Sequence, residues 1–202
     1  GEQVAALVLD GSNVHTAIWN SKLGTHIAAI TDKYEVYLWQ QGDFRKLDGV
    51  SGPIAWSPDG IYLAGARADA TIVVWDSRTG SVFWEFLGHT GDVNSIDWSL
   101  ADAKSFVSHG DDGQIRLWNL GYAGATAVID TGDTSSSWVA FSPSGTLIAF
   151  MGSNEGLQVY PTRMEDLIAT ACRVAVRNLG PIDWQEFIGP EEPKEICPNK
   201  PI

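Results

Sequence analysis

The sequence predicts an all-β fold built from four repeated units of short antiparallel strands. Three observations predict it. Aromatic residues return at an interval of about 36 to 43 residues, as Trp19, Trp56, Trp98 and Phe141 in one series and Trp39, Trp75, Trp118 and Tyr160 in a second, within the range of four-stranded structural repeats. Short runs of β-branched and aromatic residues lie between them, the composition of strands. Turn-forming clusters such as Ser57-Pro58-Asp59-Gly60 and Ser142-Pro143-Ser144-Gly145 separate the runs. Proline presets φ, aspartate bonds the backbone and glycine accepts positive φ.

The elements follow in the same order in each unit. A first strand ends in an aromatic residue and a polar turn: Thr16–Ser21, Ile54–Gly60, Ile96–Leu100 and Val139–Gly145. A second strand follows at His26–Thr31, Tyr62–Ala66, Ser105–His109 and Leu147–Gly152. A third, again ending in an aromatic or just beyond it, lies at Val36–Trp39, Ile72–Asp76, Ile115–Asn119 and Leu157–Tyr160. A fourth, weaker strand closes the unit, as at Ser81–Phe86 and Thr126–Ile129.

A single four-stranded unit cannot bury both of its faces. Stacking such units around an axis buries them and leaves only short edges. The expected architecture is therefore a β-propeller over 1–162, with blades at about 14–39, 53–76, 92–119 and 135–162. Propellers have about four to eight blades. Four is the low end of that range and a steep closure, so the chain is expected to be the C-terminal part of a larger ring, with a closed ring of four, or a ring completed by a second copy or another chain, as the alternatives. Residues 3–10 read as the last strand of an earlier blade.

Trp75-Asp76, Gly88-His89, Trp118-Asn119 and Trp56-Ser57-Pro58-Asp59-Gly60 resemble the WD40 repeat family. The resemblance covers Val14 to Thr162 and is best in the third unit. It implies a hydrogen-bonded chain of His89, Ser108, Asp112 and Trp118. The other units keep parts of it: the second has Asp69 and Trp75 but Gly65 at the serine position, the first has Trp39 without the histidine, and the fourth has Tyr160 for tryptophan.

Beyond 162 the pattern changes. Met164, Leu167, Ile168, Ala171, Cys172, Ala175 and Val176 recur at helical spacing, and Gly180-Pro181 stops that helix. Residues 163–202 are expected to form a short C-terminal helical extension and an extended arm. Leu167–Cys172, Arg177-Asn178-Leu179, Trp184 and Cys197-Pro198 resemble the segment that follows propellers in large bacterial WD40 proteins. Those often carry a signal-transducing NTPase or a caspase-like protease upstream, so the resemblance implies a bacterial sensor or scaffold. Cys172 and Cys197 either form a disulfide pinning the arm to the helix or are two packed thiols, the latter in a reducing cytoplasm.

Charge and motifs narrow the function. The formal net charge is −12, from 13 Lys and Arg against 25 Asp and Glu. Such a surface repels phosphate backbones, which argues against nucleic acid as a partner. No apolar stretch approaches the roughly 20 residues of a spanning helix, so no membrane role is expected, and the cytoplasm is the expected location. There is no phosphate-binding loop of the Gly-x-x-x-x-Gly-Lys-Ser/Thr type, and no cofactor is expected. His89, His109, Asp111 and Asp112 cluster, but the structural chain and a tight turn account for them better than a metal site does. Ser108, His89 and Asp112 share the composition of a hydrolase triad. A nucleophile needs an accessible oxygen and an oxyanion hole, whereas the WD40 arrangement buries the serine. The expected function is therefore non-catalytic protein–protein interaction on the loops that lead into the blades. Ser51, Gly52, His89, Thr90, Asp92, Thr134, Ser135 and Ser137 are the candidate contacts. Acidic Asp59, Asp69, Asp92, Asp111 and Asp112 suit a partner with a basic surface. The rival expectations are the sensor end of a larger NTPase or protease and an assembly subunit whose ring another chain completes.

Overall fold

A computed structural model describes residues 11–163 except 41, 48, 136, 137, 154 and 155. All regular elements among them are strands. The expected helix and arm, the strand at 3–10, Ser137, Cys172 and Cys197 lie outside the described residues. The chain divides into two compact units, Gly1–Val159 and Tyr160–Ile202. The first carries the blades.

Four antiparallel sheets follow one another along the chain. Blade 1 is β1 (Val14–Trp19), β2 (His26–Thr31), β3 (Val36–Gln40) and β4 (Asp43–Leu47), paired in that order. Blade 2 is β5 (Ile54–Trp56), β6 (Tyr62–Ala66), β7 (Ile72–Asp76) and β8 (Val82–Phe86). Blade 3 is β9 (Val93–Trp98), β10 (Ser105–Gly110), β11 (Gln114–Asn119) and β12 (Ala127–Asp130). Blade 4 has three strands among the described residues, β13 (Trp138–Phe141), β14 (Leu147–Gly152) and β15 (Gly156–Pro161). Consecutive antiparallel sheets of three or four strands are the arrangement expected of propeller blades. Strand β4 is the closing strand expected of each unit, at a position the sequence does not single out. Its residues Asp43-Phe44-Arg45-Lys46 are exposed, and an outer strand with three charges carries no apolar alternation to find.

The turns form for the reasons their composition gives. Ser57 Oγ donates to Asp59 Oδ1 at 2.6 Å, the Ile61 amide caps the same oxygen at 3.0 Å, and Gly60 closes on the Ser57 carbonyl at 2.9 Å. Gly60 sits at φ +76, open to glycine at no steric cost. Its carbonyl then accepts from Asn20 Nδ2 of blade 1 at 2.9 Å and from Ser77 Oγ at 2.8 Å.

Because side chains alternate across a strand, the inner strands of the middle blades serve two seams. Ala28, Ile30, Val36 and Leu38 of blade 1 meet Leu63, Val73 and Trp75 of blade 2. The other parity of blade 2, Ala64, Ala66, Ile72, Val74 and Phe86, meets Val93, Ile96, Trp98, Phe106 and Trp118 of blade 3. Phe86 packs edge-on against Phe106 with centroids 5.2 Å apart. Between blades 3 and 4 the rings of His109 and Phe150 lie 4.9 Å apart.

Polar clips fix the register of each seam. Trp56 Nε1 donates to the Ile18 carbonyl of the preceding blade at 3.2 Å, and Trp98 Nε1 donates to the Ala55 carbonyl at 3.0 Å. Each acceptor immediately precedes the aromatic that ends its own strand. Phe141 has no side-chain N–H to give, and that seam is clipped differently: the Phe141 amide donates to Asp97 Oδ2 at 2.8 Å and the Val139 amide to Ser95 Oγ at 3.2 Å. Burial pushes the Asp97 carboxyl above the usual carboxylate range, against the pull of the Phe141 and Trp98 amides.

Trp84 and Phe83 depart from simple alternation. Trp84 pairs with Val74 and Val82 with Trp75, leaving Phe83 as the extra residue of a bulge. Both aromatics are therefore partly exposed. Phe83 lies 4.7 Å from the Tyr62 ring and Trp84 6.3 Å from Phe86.

The clips predict a measurable asymmetry. Trp98→Phe keeps an aromatic ring and deletes the donor, leaving the Ala55 carbonyl without its indole partner. We expect it to lower stability by about 1 to 2 kcal/mol in urea unfolding, while Phe141→Tyr, whose backbone amide makes the clip, leaves the Asp97 bond intact.

Candidate functional site

The third blade holds the one complete polar chain among the described residues. The Trp118 indole donates to Ser108 Oγ at 2.8 Å, Ser108 Oγ lies 2.7 Å from His89 Nε2, and His89 Nδ1 lies 3.0 Å from both Asp112 oxygens. Donors and acceptors balance in one direction. The indole can only donate, so the serine hydroxyl passes its proton toward Nε2, and Nδ1–H donates to the carboxylate. Asp112 also accepts from the Thr90 amide at 3.0 Å and the Gln114 amide at 3.2 Å. The chain therefore ties the loop before β9, the middle of β10 and the β10–β11 turn to the Trp118 ring. Burial holds His89 below its ordinary pKa, outweighing the raising effect of Asp112, and this favours the neutral imidazole that the chain requires. Burial raises Asp112, but the Thr90 amide, His89 and the Gln114 amide outweigh it and hold the carboxyl low.

Ser108 is completely buried, and its oxygen is taken up by Trp118 and His89. The arrangement is a brace between strands and loops, and a substrate carbonyl has no approach to it. Among the described residues no three His, Cys, Asp or Glu side chains converge as metal ligands, and no helix is long and apolar enough to cross a membrane.

The strand registers show what replaces this chain elsewhere. Trp118 pairs with Phe106, two residues before Ser108; Trp39 pairs with Ile27, two before Ala29; Trp75 pairs with Leu63, two before Gly65. Alanine thus stands at the serine position of blade 1, and Trp39 Nε1 is buried without a partner. In blade 2 the ring fills the space instead: a Cβ on Gly65 would stand 3.0 Å from Trp75 Cζ3 and 3.1 Å from Ile54 Cγ2.

The loops predicted to bind a partner are only partly brought together. Ser51 and Gly52 line an open cleft of about 510 Å³ between blades 1 and 2, with Thr31, Asp32, Tyr34, Pro53 and Asn94. Both of their amides donate to the Ala66 carbonyl, at 2.8 and 3.1 Å, which fixes the loop as the cleft wall. Tyr34 joins them without any signal in the sequence. It sits at φ +59, a conformation strained for an aromatic residue, and it is 59% exposed. Asp32 is charged at neutral pH: the Asn13 amide and side chain, aided by Lys33, hold its carboxyl low. Thr90, Asp92 and Thr134 are exposed on neighbouring loops. His89 is corrected out of the contact set, because it is only 7% exposed and is committed to Ser108 and Asp112. Ser135 is turned inward to Asp133, which accepts from its amide at 2.9 Å and from its hydroxyl. Hydrogen bonds from Ser135 and then Ser153 lower Asp133 to about 2.

Comparison with known proteins agrees with this architecture. The family described as "WD domain, G-beta repeat" matches residues 53–76 and 80–119. The chain is 31% identical over 125 residues to the periodic tryptophan protein 2 homolog of Dictyostelium discoideum, covering 61% of this chain and 13% of that protein. It is 27% identical over 148 residues to the F-box-like/WD repeat-containing protein TBL1X of Mus musculus, covering 70% of this chain and 27% of that protein. It is 26% identical over 141 residues to the WD repeat-containing protein slp1 of Schizosaccharomyces pombe, covering 63% and 28%. The chain thus spans less than a third of each relative's length, and all three come from eukaryotes.

The brace and its replacements can be tested by substitution. Ala29→Ser offers Trp39 Nε1 an acceptor and is expected to raise stability by about 0.5 to 1 kcal/mol. Gly65→Ser forces a side chain into the Trp75 ring and is expected to cost about 1 to 3 kcal/mol; paired urea titrations check both. The pH response follows from three buried histidines, His26, His89 and His109, all held below the ordinary 6.5 chiefly by burial. The unfolded chain takes up protons at 6.5 before the folded chain does, so stability is full above that pH and falls as the solution is acidified below it. The urea midpoint should drop between about pH 7.5 and 5.5, and His109→Gln should flatten the drop.

Proposed function

On a chain of WD40 repeats stacked as propeller blades, we propose a non-catalytic protein-interaction platform that acts in the cytoplasm and holds its partner on the loops between blades 1 and 2. The carrying observation is the cleft that joins Ser51 and Gly52 to Asp32 and Tyr34. Blades braced by seam packing make rigid walls, and binding groups placed on loops over such a scaffold are pre-organised. An exposed tyrosine in a fixed turn offers a flat contact surface at small entropic cost. Asp32 beside it, on a chain of net charge −12, suits a partner bearing Lys or Arg. The related proteins named for their WD repeats support the interaction reading.

A second reading places this propeller at the sensor end of a longer signalling protein with an NTPase or protease domain. The resemblance of the segment at 167–198 to the tails of large bacterial WD40 proteins favours it. In that reading the same cleft takes the partner whose binding the effector senses.

The cleft is tested with an array of short peptides of varied charge. Binding is expected to concentrate on Lys- and Arg-bearing peptides and to weaken as salt rises over the Debye range. Asp32→Lys and Tyr34→Ala should each weaken it at least about tenfold with an unchanged circular dichroism spectrum. Binding that ignores both substitutions would move the site to another face.

A further inference from the structure

A groove of about 590 Å³ opens on the seam between blades 2 and 3, where Asp59, Tyr62 and Phe83 face Asp102, Leu120 and Tyr122. Its walls are the β5–β6, β9–β10 and β11–β12 turns and the start of β8. Alternate turns of an antiparallel meander lie at opposite ends of the strands. The groove is therefore on the rim opposite the cleft of Tyr34 and Ser51, whose walls are the β2–β3 turn and the β4–β5 loop. Both blades have a neighbour on either side: blade 2 packs on blades 1 and 3, and blade 3 on blades 2 and 4.

The floor is aromatic and held from behind. Tyr62 stacks on Trp98, with centroids 6.4 Å apart and rings 11° from parallel, and Tyr62 and Leu120 pack on the core of the seam. Phe83, the extra residue of the β8 bulge, lies 4.7 Å from the Tyr62 ring. Bulges re-aim a side chain, and this one sets a phenylalanine beside the groove at 44% exposure, more than core packing would leave it. Tyr122, on the β11–β12 turn, adds a third ring to the lining and is 64% exposed.

The rim is acidic. Two carboxylates, Asp59 and Asp102, stand against one ammonium, Lys104. Asp59 takes the Ser57 hydroxyl and the Ile61 amide on Oδ1. Its Oδ2 and the Tyr62 hydroxyl make no hydrogen bond among the described residues. Burial, then the charges of Asp59 and Asp76, push the Tyr62 hydroxyl above its ordinary value, so both carboxylates are felt at the ring. Burial raises Asp102, but the Ser105 amide and hydroxyl and the Lys104 amide outweigh it and keep that carboxyl ionised at neutral pH. Aromatic faces beside a carboxylate with an unused oxygen suit a planar cation. A guanidinium stacks on such a face and presents its N–H groups in a fixed fork, whereas an ammonium is compact and more strongly hydrated.

We propose that this groove binds an arginine side chain of a protein partner, with the guanidinium over Tyr62 and Phe83 donating to Asp59 Oδ2 and the Tyr62 hydroxyl, and with apolar neighbours of that arginine resting on Leu120 and Tyr122. The site is separate from the cleft between blades 1 and 2 and does not rest on what that cleft takes.

Isothermal titration of the 202-residue chain with the capped peptide Gly-Leu-Arg-Leu-Gly, and with the same peptide carrying lysine or citrulline in the central place, tests it. The arginine peptide is expected to bind, the lysine peptide about fivefold more weakly and the neutral citrulline peptide at least about tenfold more weakly. Asp59→Asn keeps an oxygen for Ser57 and Ile61, removes the charge and should weaken the arginine peptide about tenfold. Phe83→Ser should weaken it about fivefold. Lys104→Glu, at an exposed position, should strengthen it about threefold. Asp32→Lys and Tyr34→Ala, in the other cleft, should leave it unchanged, which separates failure of this site from failure of that one. The peptide series and Lys104→Glu decide the outcome if Phe83→Ser does not fold. Absence of binding by the arginine peptide up to about 1 mM overturns the proposal. So does equal binding of the three peptides, or binding that Asp59→Asn or Lys104→Glu leaves unchanged.

Discussion

The constraint on which this structure depends is that a middle blade has two faces and water can have neither. An ordinary half-buried sheet alternates apolar and polar residues, and one parity suffices for its core. Here both parities of β6 and β7 are buried, Leu63 and Val73 toward blade 1 and Ala64 and Val74 toward blade 3. No single blade can satisfy that condition, so stability belongs to the seams and is shared by neighbours. Burying a large side chain such as Trp98 or Phe106 is worth about 1.5 to 3 kcal/mol, but only while the adjoining blade stays in place.

Apolar packing leaves the relative sliding of two sheets poorly defined, and polar clips supply the definition. The indoles of Trp56 and Trp98 find one carbonyl each, and Asn20 finds the Gly60 carbonyl. A slip by one residue would strand a donor against an apolar wall, at a cost near that of an unmade buried hydrogen bond. Seam 3–4 reaches the same end with Asp97 and Ser95 receiving backbone amides. The side chain that bonds has moved to the other blade because the Phe141 ring cannot donate. The brace of His89, Ser108, Asp112 and Trp118 works within one blade, where it fastens the loop before β9 to the strands behind it.

Much of this is legible in the residues. The inner three strands of every blade are readable because apolar runs lie between turn clusters and an aromatic residue marks the end of the first and third strands. Strand β4 is not, since Asp43, Arg45 and Lys46 carry no period and an exposed outer strand needs none. The extra residue at Phe83 is also invisible, because a bulge is a property of two strands in register and not of one. His89 reads in the sequence as both a brace residue and a loop residue, and only its burial decides between them. Tyr34 gives no signal, as a tight turn around an aromatic has no distinctive composition, and its positive φ shows only in the backbone. The indole clips rest on register across blades some 40 residues apart, which periodicity announces but cannot align.

The decay of the brace in the other blades follows from what surrounds each tryptophan. Trp75 occupies the volume that a serine would need, so blade 2 exchanges a hydrogen bond for tight packing against Gly65 and Ile54. Blade 1 has neither, and its Trp39 nitrogen is buried without an acceptor. Blade 3 is braced from loop to core, whereas the Tyr34 turn on the rim of blade 1 is held by bonds of its own, the Asn13 amide on Asp32 and the Tyr34 amide on the Thr31 carbonyl. The cleft between Ser51–Pro53 and Asp32–Tyr34 therefore has two fixed walls, each tied by backbone bonds that lie outside the seams. Order at this site comes from those turn bonds, while the register of the arc is kept by the clips.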